Sequence, residues 1–260
     1  MPDLATDGWV TFAADPSVLT WVAAARPQAL AAVNDPVQRA QGLVCEGTWF
    51  VGVDALDNGP EGAVGGVPLT GAARRAADAL FGPLPLHRAQ VSVMWPGYPR
   101  PRAGESAGAF RYRLHRDAAH LDGLLAEGPE RRRFIREPHA WILGLPLTAC
   151  DPGASPLVVW RGSHHVLRRA LQQACAGHPP AAWSDLDITQ AYTQVRSEVF
   201  ATCERVELPA GPGQAYLLHR HLLHGVAPWA EAAKAPAEGR MIAYFRPILP
   251  GGVAQWLRDD

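Results

Sequence analysis

The spacing of apolar residues in the first third of the chain changes between helical and extended. Pro16 to Val33 is Ala-rich with helical periodicity, and Ala72 to Phe81 contains strong helix formers up to a Gly-Pro pair. Thr48 to Val53 and Gln90 to Trp95 are rich in β-branched and aromatic residues and precede turn sequences. We therefore predict two helices, each followed by a strand.

Short strand-like runs dominate the remaining two-thirds of the chain. Two helix-like stretches, Val166 to Ala176 and Ile188 to Cys203, interrupt them without the regular alternation of a parallel α/β sheet. The pattern favours an antiparallel sandwich or jelly roll with helices packed outside. The predicted strands are Phe110 to Leu114, Ala140 to Leu147, Pro156 to Trp160, Arg205 to Leu208, Gln214 to Leu218 and Arg240 to Pro247.

The length and the charge balance favour one compact domain whose partners are small molecules. The chain has 260 residues, 48% of them hydrophobic, which is enough for a sizeable core. We expect a single domain over 1–260, with an N-terminal elaboration over 1–105 and the jelly-roll core over 106–250. The 24 Lys+Arg and 25 Asp+Glu leave a formal charge of −1, which gives no general electrostatic reason to bind nucleic acid or an anionic membrane.

Targeting signals and cysteine pairs are not indicated by the sequence. No apolar stretch approaches the roughly 20 residues that cross a bilayer, and residues 1–7 lack the basic segment and apolar core of a signal peptide. The four cysteines are scattered without a CxxC pair, so neither a zinc knuckle nor a disulfide framework is predicted. We expect a cytoplasmic protein with reduced thiols, and the oligomeric state is left open.

Two groups of histidines carry the candidate chemistry. LHRDAAHLDG contains two HxD pairs, His115 with Asp117 and His120 with Asp122, and LLHRHLLHG contains His224. An HxD pair at a strand end places its imidazole and its carboxylate on the same side of the chain. One such pair and one distant histidine form a facial triad, which suits iron(II) and leaves positions open for a bidentate oxo-acid and dioxygen; zinc is the competing metal.

From the first HxD pair onward, the order of motifs resembles the phytanoyl-CoA dioxygenase family of iron(II), 2-oxoglutarate-dependent oxygenases. The motifs are HxD, PLVVWRGSHHVL, GQAYLLHRHLLHGV and GRMIAYFRP, with Gln214 where the family usually has Asp; the first third shows no match. The resemblance implies a mainly β fold with flanking helices, the double-stranded β-helix of jelly-roll, cupin-like proteins. It also implies an enzyme that uses iron(II), 2-oxoglutarate and dioxygen to hydroxylate an unactivated C–H bond of a small molecule.

The resemblance further implies roles for single residues. His224 precedes the glycine of the HG pair and takes the place of the distal iron ligand. Arg240 matches the arginine that pairs with the far carboxylate of 2-oxoglutarate, and Arg246, which has the same strand parity, is the alternative. His219 falls at a pocket position, whereas His221 has no counterpart and is expected to be a solvated strand residue.

The choice between the two HxD pairs depends on strand parity. In an extended chain, Phe110, Tyr112 and Leu114 share a face with His120 and Asp122, interrupted only by Arg116. The arginines at positions 111 and 113 share the other face with His115 and Asp117. Arginines on the inner face beside a cationic metal are electrostatically costly, so we predict a metal site of His120, Asp122 and His224. A β-bulge near residue 116 would reverse the parity, and the Leu before His115 favours the other pair.

The substrate cannot be identified from these motifs. Arg131-Arg132-Arg133 either cap a lid over an acidic substrate or form a solvated basic loop, and we favour the loop. His164 either approaches the substrate or hydrogen-bonds the Gly-Ser-His turn. No feature identifies a CoA site, and the carboxylate of Asp122 disfavours halogenation. Two alternatives stay open: a metal-dependent jelly-roll enzyme that uses no 2-oxoglutarate, and a non-catalytic metabolite-binding jelly roll.

Overall fold

The computed structural model describes residues 2–258, which form twelve β-strands, seven α-helices and a 3-10 helix at Pro180–Asp185. The strands are β1 Trp9–Phe12, β2 Leu43–Val44, β3 Trp49–Gly52, β4 Gln90–Met94, β5 Leu124–Glu127, β6 Arg132–Ile135, β7 Trp141–Pro146, β8 Leu157–Trp160, β9 Arg205–Leu208, β10 Ala215–His219, β11 His224–Val226 and β12 Arg240–Phe245. The helices are α1 Pro16–Asn34, α2 Pro36–Gly42, α3 Ala72–Phe81, α4 Ala107–His115, α5 Ser163–Cys175, α6 Thr189–Thr202 and α7 Gly252–Trp256. Among the described residues, no helix is long and apolar enough to cross a membrane.

Two antiparallel sheets enclose the interior of the molecule. The large sheet has seven strands in the order β1-β10-β7-β12-β4-β3-β2, and the small sheet has three in the order β11-β8-β9. From β7 to β12 the chain passes repeatedly between them, as in a double-stranded β-helix. The predicted fold class is therefore confirmed. Apolar side chains from both sheets pack into one cluster between them, among them Leu157, Val159, Tyr216, Leu218 and Ile242.

The outer face of the large sheet is covered by α1 and α3. Trp21 of α1 is fully buried, and its ring centroid lies 5.9 Å from that of Phe245 on β12. Truncation of a buried aromatic residue of this kind costs about 3–5 kcal/mol, so this contact holds the helix firmly on the sheet. Asp15 accepts hydrogen bonds from the first turn of α1 and from the Ala72 N–H at 3.1 Å, so one carboxylate joins the starts of both helices.

The predicted strand over Phe110 to Leu114 is wrong, because this segment lies in α4. Ser106 caps the helix, since its Oγ accepts a hydrogen bond from the Ala109 N–H at 3.2 Å. No residue of α4 is fully buried, so the alternating apolar residues of this segment do not face a sheet interior. Without that burial, local capping and helix propensity decide the conformation.

Strands from the first third of the chain belong to the large sheet. β1 pairs with β10, and β4 pairs with β12 on one side and β3 on the other. Residues 1–105 thus supply four of its seven strands, β1 to β4. The sheet therefore extends beyond the 106–250 core of the predicted division, which followed the extent of the motif match.

Candidate metal centre

The segment between α4 and the second HxD pair is folded back onto β11. Asp117 and Ala118 both have φ of 52°, which reverses the chain after the helix. Backbone hydrogen bonds then run in both directions between His120 and His224, at 2.8 and 3.1 Å. Gly225 permits this approach, because a Cβ at that position would lie 2.2 Å from the Asp117 carbonyl oxygen. The glycine of the HG pair therefore allows the two histidines to lie side by side.

Three side chains converge at this pairing. The Nε2 atom of His120 lies 3.3 Å from Oδ1 of Asp122, and the Nε2 atom of His224 lies 3.8 Å from Oδ2 of the same carboxylate. All three candidate ligand atoms lie within 4.8 Å of one another. The structure thus brings together the three residues that the sequence predicted as a metal site.

Backbone carbonyl groups orient both imidazole rings. The Nδ1 atom of His120 lies 3.0 Å from the Ala118 carbonyl oxygen, and the Nδ1 atom of His224 lies 3.0 Å from that of Leu222. A carbonyl oxygen can only accept, so each Nδ1 carries a proton, and in the neutral form of each ring the lone pair is on Nε2. That tautomer leaves both Nε2 atoms available to a metal ion beside Asp122.

The local electrostatics favour the metal-binding protonation states. Burial opposes the charge of Asp122, but Arg246 and the two neighbouring histidines more than offset it and hold the pKa of that carboxyl well below its usual range. Burial, reinforced by the nearby His120, lowers the pKa of His224 to about 4. At neutral pH Asp122 is therefore ionised and His224 is neutral, which are the forms that bind a metal.

The other HxD pair has different surroundings. Asp117 is buried and accepts two hydrogen bonds from Arg205, Nε to Oδ2 at 2.7 Å and Nη2 to Oδ1 at 2.9 Å. His115 is exposed at the end of α4. Neither residue belongs to the cluster around His224. The pair selected by strand parity is thus the one that meets His224, although the parity was counted through a segment that is helical.

The two candidate arginines lie at opposite ends of β12. Arg246 contacts the triad directly, since its Nη1 donates to Oδ2 of Asp122 at 3.1 Å and its Nη2 donates to Oε1 of Gln90 at 2.5 Å. Arg240 is six residues away, which in an extended strand is roughly 20 Å. It lines a separate cavity of about 270 Å³ together with Cys150. The structure therefore brings Arg246, and not Arg240, to the triad.

The other motif histidines lie outside the cavity that adjoins the triad. His164 is buried, with its Nε2 at 2.9 Å from the Ala5 carbonyl oxygen and its ring centroid at 4.7 Å from that of His219. His221 is fully buried, and its ring packs edge-on against Trp256 at 4.3 Å. The prediction of a solvated His221 is therefore wrong, because α7 covers the turn that follows β10.

A cavity of about 810 Å³ adjoins the triad and includes His120, Asp122 and Arg246 in its lining. Sequence motifs indicated a basic segment here but missed Tyr192 and Arg196 of α6. The spacing of these two residues, four apart in a predicted helix, places them on one face and is the signal that could have identified them. Side chains from α4, β6 and α6 that line the cavity include Tyr112, Arg113, Arg133, Tyr192 and Arg196.

Solved structures share the fold of this chain. The non-heme alpha ketoglutarate dependent carbocyclase SnoK from nogalamycin biosynthesis matches with a TM-score of 0.55 and 14% identity, over 94% of this chain and 81% of its own. EvdMO1 matches with a TM-score of 0.50 and 16% identity, over 95% of this chain and 48% of its own. No family model and no curated protein sequence matches the chain. Fold and site together define a double-stranded β-helix protein with a candidate His-Asp-His metal centre, and membership of the phytanoyl-CoA dioxygenase family stays a prediction.

Proposed function

We propose that this chain is an iron(II), 2-oxoglutarate-dependent oxygenase. The observation that carries the proposal is the convergence of His120, Asp122 and His224, with ligand atoms within 4.8 Å of one another. Two imidazole nitrogens and one carboxylate oxygen are the donor set of non-haem iron(II) oxygenases, and they leave coordination positions for an oxo-acid and dioxygen. The backbone carbonyls that orient both rings support the proposal, because they prepare the site for the metal.

The number of protein ligands argues against a structural zinc site. Structural zinc is closed by four protein ligands, usually with cysteine among them. Among residues 2–258, the cluster that could hold a metal consists of three groups and contains no cysteine. An open site of this kind suits catalysis at the metal.

Arg246 is the proposed partner of a 2-oxoglutarate carboxylate. Burial would lower the pKa of Arg246, but Asp122 raises it, so the guanidinium stays charged inside the site. Its planar fork suits a carboxylate, and it already contacts Asp122 and Gln90 at the edge of the triad. Arg240, which the family resemblance favoured, lines another cavity and is left without this role.

The protein's part in the reaction is to hold the reactants in place. Bound iron(II) and 2-oxoglutarate supply, with dioxygen, an oxidant that removes hydrogen from an unactivated C–H bond. The 810 Å³ cavity has the size of a small-molecule site, and its walls would hold the target carbon beside the triad and limit the access of water. Hydroxylation rather than halogenation is the proposed outcome, because the carboxylate of Asp122 would serve as a metal ligand and would leave no vacancy in its place for a halide.

Anaerobic titration with iron(II) and then 2-oxoglutarate tests the proposal. We expect a weak visible charge-transfer band in the wild type and in His115→Ala, and no band in His120→Ala, which loses one of the three ligands. Metal content measured on the same samples distinguishes the alternatives. A wild type that binds iron but shows no band would support a metal-dependent jelly-roll enzyme that uses no 2-oxoglutarate. A wild type that binds no metal would support a non-catalytic binding protein.

A further inference from the structure

The cavity beside the triad has an excess of positive charge. Six arginines line it, against three acidic residues. Two of these arginines are neutralised locally, because Arg113 forms an ion pair with Glu105 and Arg246 forms one with Asp122. The other four have no carboxylate within 4.0 Å among the described residues. They are Arg102, Arg131, Arg133 and Arg196.

Arg196 is held in place by two tyrosines. Its guanidinium lies over the rings of Tyr112 and Tyr192, at 5.0 and 4.6 Å from their centroids, and its Nη1 donates to the Tyr112 hydroxyl at 3.0 Å. Its Nε is buried and has no hydrogen-bond partner among residues 2–258. A buried guanidinium nitrogen without an acceptor is costly, and a bound ligand could supply the missing acceptor.

The same two tyrosines connect Arg196 to the metal-binding segment. The Tyr112 hydroxyl donates to the Ala119 carbonyl oxygen at 2.7 Å, and the Tyr192 hydroxyl accepts from the Leu121 N–H at 3.0 Å. These two backbone groups flank His120. Arg196 is therefore fixed next to the triad segment and does not contact the triad carboxylate itself.

Arg133 is the second guanidinium at this wall. Its backbone N–H donates to the Thr189 hydroxyl at 2.7 Å, and its Nη1 reaches the Leu124 carbonyl oxygen at 3.4 Å. Burial is the main cause that lowers the pKa of Arg133. Tyr192 opposes this shift, and the positive charges of Arg131 and Arg196 add to it. Two half-buried like charges that face one cavity raise the free energy of the empty site, and an anion between them would lower it.

We infer that the substrate carries an oxyanion group, a carboxylate or a phosphate, that binds to Arg133 and Arg196. Both guanidiniums offer several N–H donors in a planar fork, which suits either group. Arg246 is assigned to 2-oxoglutarate, because it follows β12 and contacts Asp122 at the triad, whereas Arg133 and Arg196 lie on β6 and α6. The inference rests on the proposed function in one respect, that the ligand of this cavity is the substrate of the candidate metal centre.

Anion binding to the metal-free protein tests the site itself. Metal is removed with a chelator and dialysis, and inorganic phosphate and acetate are then titrated while the intrinsic fluorescence is followed. We expect saturable binding of at least one probe, weakened about tenfold or more in Arg133→Gln and in Arg196→Gln, because each loses a charge-assisted hydrogen bond. The probe that binds more tightly identifies the oxyanion. Arg196→Lys keeps the charge and should recover part of the affinity.

Arg132→Gln is the matched control. Arg132 is the neighbour of Arg133 on β6, but its side chain alternates to the other face and pairs with Glu130 at 2.6 Å. We expect this variant to bind both probes as the wild type does. Circular dichroism of every variant confirms that the fold is retained. Equal binding by the wild type and both glutamine variants, or no binding of either probe, would overturn the inference.

Titration of 2-oxoglutarate into the iron(II)-loaded variants separates substrate from cofactor. We expect the charge-transfer midpoint of Arg133→Gln and Arg196→Gln to stay within about twofold of the wild type, since Arg246 is intact. A loss of 2-oxoglutarate affinity as large as the loss of phosphate affinity would assign the arginine pair to the cofactor and contradict the inference. If the wild type forms no iron complex yet binds phosphate through this pair, the oxygenase proposal fails and the oxyanion site stands.

Discussion

The two HxD pairs have the same residue types and lie close together in the chain, yet the structure gives them different surroundings. Asp117 is bound by Arg205, whereas Asp122 faces His120 and His224. The difference arises from where the chain pairs with β11, since the backbone contact to His224 is made by His120. The first pair also contacts β11, because the Asp117 carbonyl oxygen accepts from the Val226 N–H at 2.8 Å. The surroundings of an HxD motif therefore depend on the register in which its segment lies along the neighbouring strand.

Matched substitutions at Asp117 and Asp122 should affect different properties of the protein. Asp122→Asn should weaken iron(II) binding by at least about a hundredfold, because a ligand is lost and such losses exceed those of outer-shell partners. Asp117→Asn should leave iron binding within about threefold of the wild type. It should instead lower the free energy of unfolding by about 1–3 kcal/mol, because the buried bidentate pair with Arg205 is weakened and Arg205 is partly exposed.

Calorimetric titration with iron(II) and urea unfolding give the two readouts on the same samples. The assignment of Asp122 as the metal ligand would be contradicted if Asp117→Asn lost the metal and Asp122→Asn kept it. That result would mean that the first HxD pair rearranges to bind the metal. It would also restore the motif assignment based on the Leu that precedes His115.

Arg240 begins β12 and Arg246 follows its last residue, and substitution of each tests which one binds 2-oxoglutarate. Arg246→Ala should weaken 2-oxoglutarate binding to the iron-loaded protein by about 2 kcal/mol or more, roughly thirtyfold, through the loss of a charge-assisted pair. Arg240→Ala should leave that affinity unchanged, because its side chain lines the other cavity. The charge-transfer titration measures both variants. A selective loss in Arg240→Ala would show that 2-oxoglutarate reaches across the interior to the far end of the strand.

Gly225 lies against the segment that joins the two HxD pairs, so its substitution should affect both stability and metal binding. In Gly225→Ala the new methyl group would meet the Asp117 carbonyl oxygen at 2.2 Å, and the segment has to move away from β11. We expect a loss of about 1–2 kcal/mol in the free energy of unfolding, together with weaker iron binding. Gly59→Ala controls for the loss of a glycine, because neither glycine has a positive φ and the added methyl at position 59 would come no closer than 3.8 Å to a heavy atom beyond its chain neighbours, the Oε2 of Glu61, among the described residues. An unaffected iron affinity in Gly225→Ala would show that this close approach does not position the ligands.

Much of the fold could be predicted from the sequence, because burial and turn residues agree locally. The helix Ala72–Phe81 and the strand Arg205–Leu208 are found with the predicted bounds. The error over Phe110 to Leu114 arose because alternating apolar residues indicate a strand only where one face is buried, and this segment is half-exposed. Strand order in the large sheet could not be predicted, since it depends on pairings between distant segments such as β1 with β10.

The convergence of His120, Asp122 and His224 could be predicted from the sequence, whereas the residues that line the neighbouring cavity could not. The HG pair identified His224, because the residue types and their order are themselves the signal. Arg196 carries no motif, and its place beside the triad depends on the packing of α6 against Tyr112. Strand parity could not separate Arg246 from Arg240, because it is the same for both. The choice depends on which end of β12 lies next to Asp122.

The pH dependence of stability distinguishes His224 from a buried histidine outside the cavity. Burial, reinforced by neighbouring histidines, lowers the pKa of both His224 and His164 to about 4, from 6.5. Between pH 6.5 and 4 the unfolded chain therefore binds more protons, so the free energy of unfolding falls as the pH falls through this window. The loss is at most about 1.4 kcal/mol per pH unit for each histidine.

Urea unfolding at pH 7, 6 and 5, with and without zinc as a redox-inert metal, separates the two contributions. His164→Gln should make the pH slope of the metal-free protein shallower and leave the increment from zinc unchanged, because His164 lies outside the triad. The zinc increment itself should shrink toward pH 5, as protons compete for the ligand nitrogens. A zinc increment that His164→Gln abolishes would contradict the assignment, because it would place the metal among the buried histidines near Ala5 instead of at the second HxD pair.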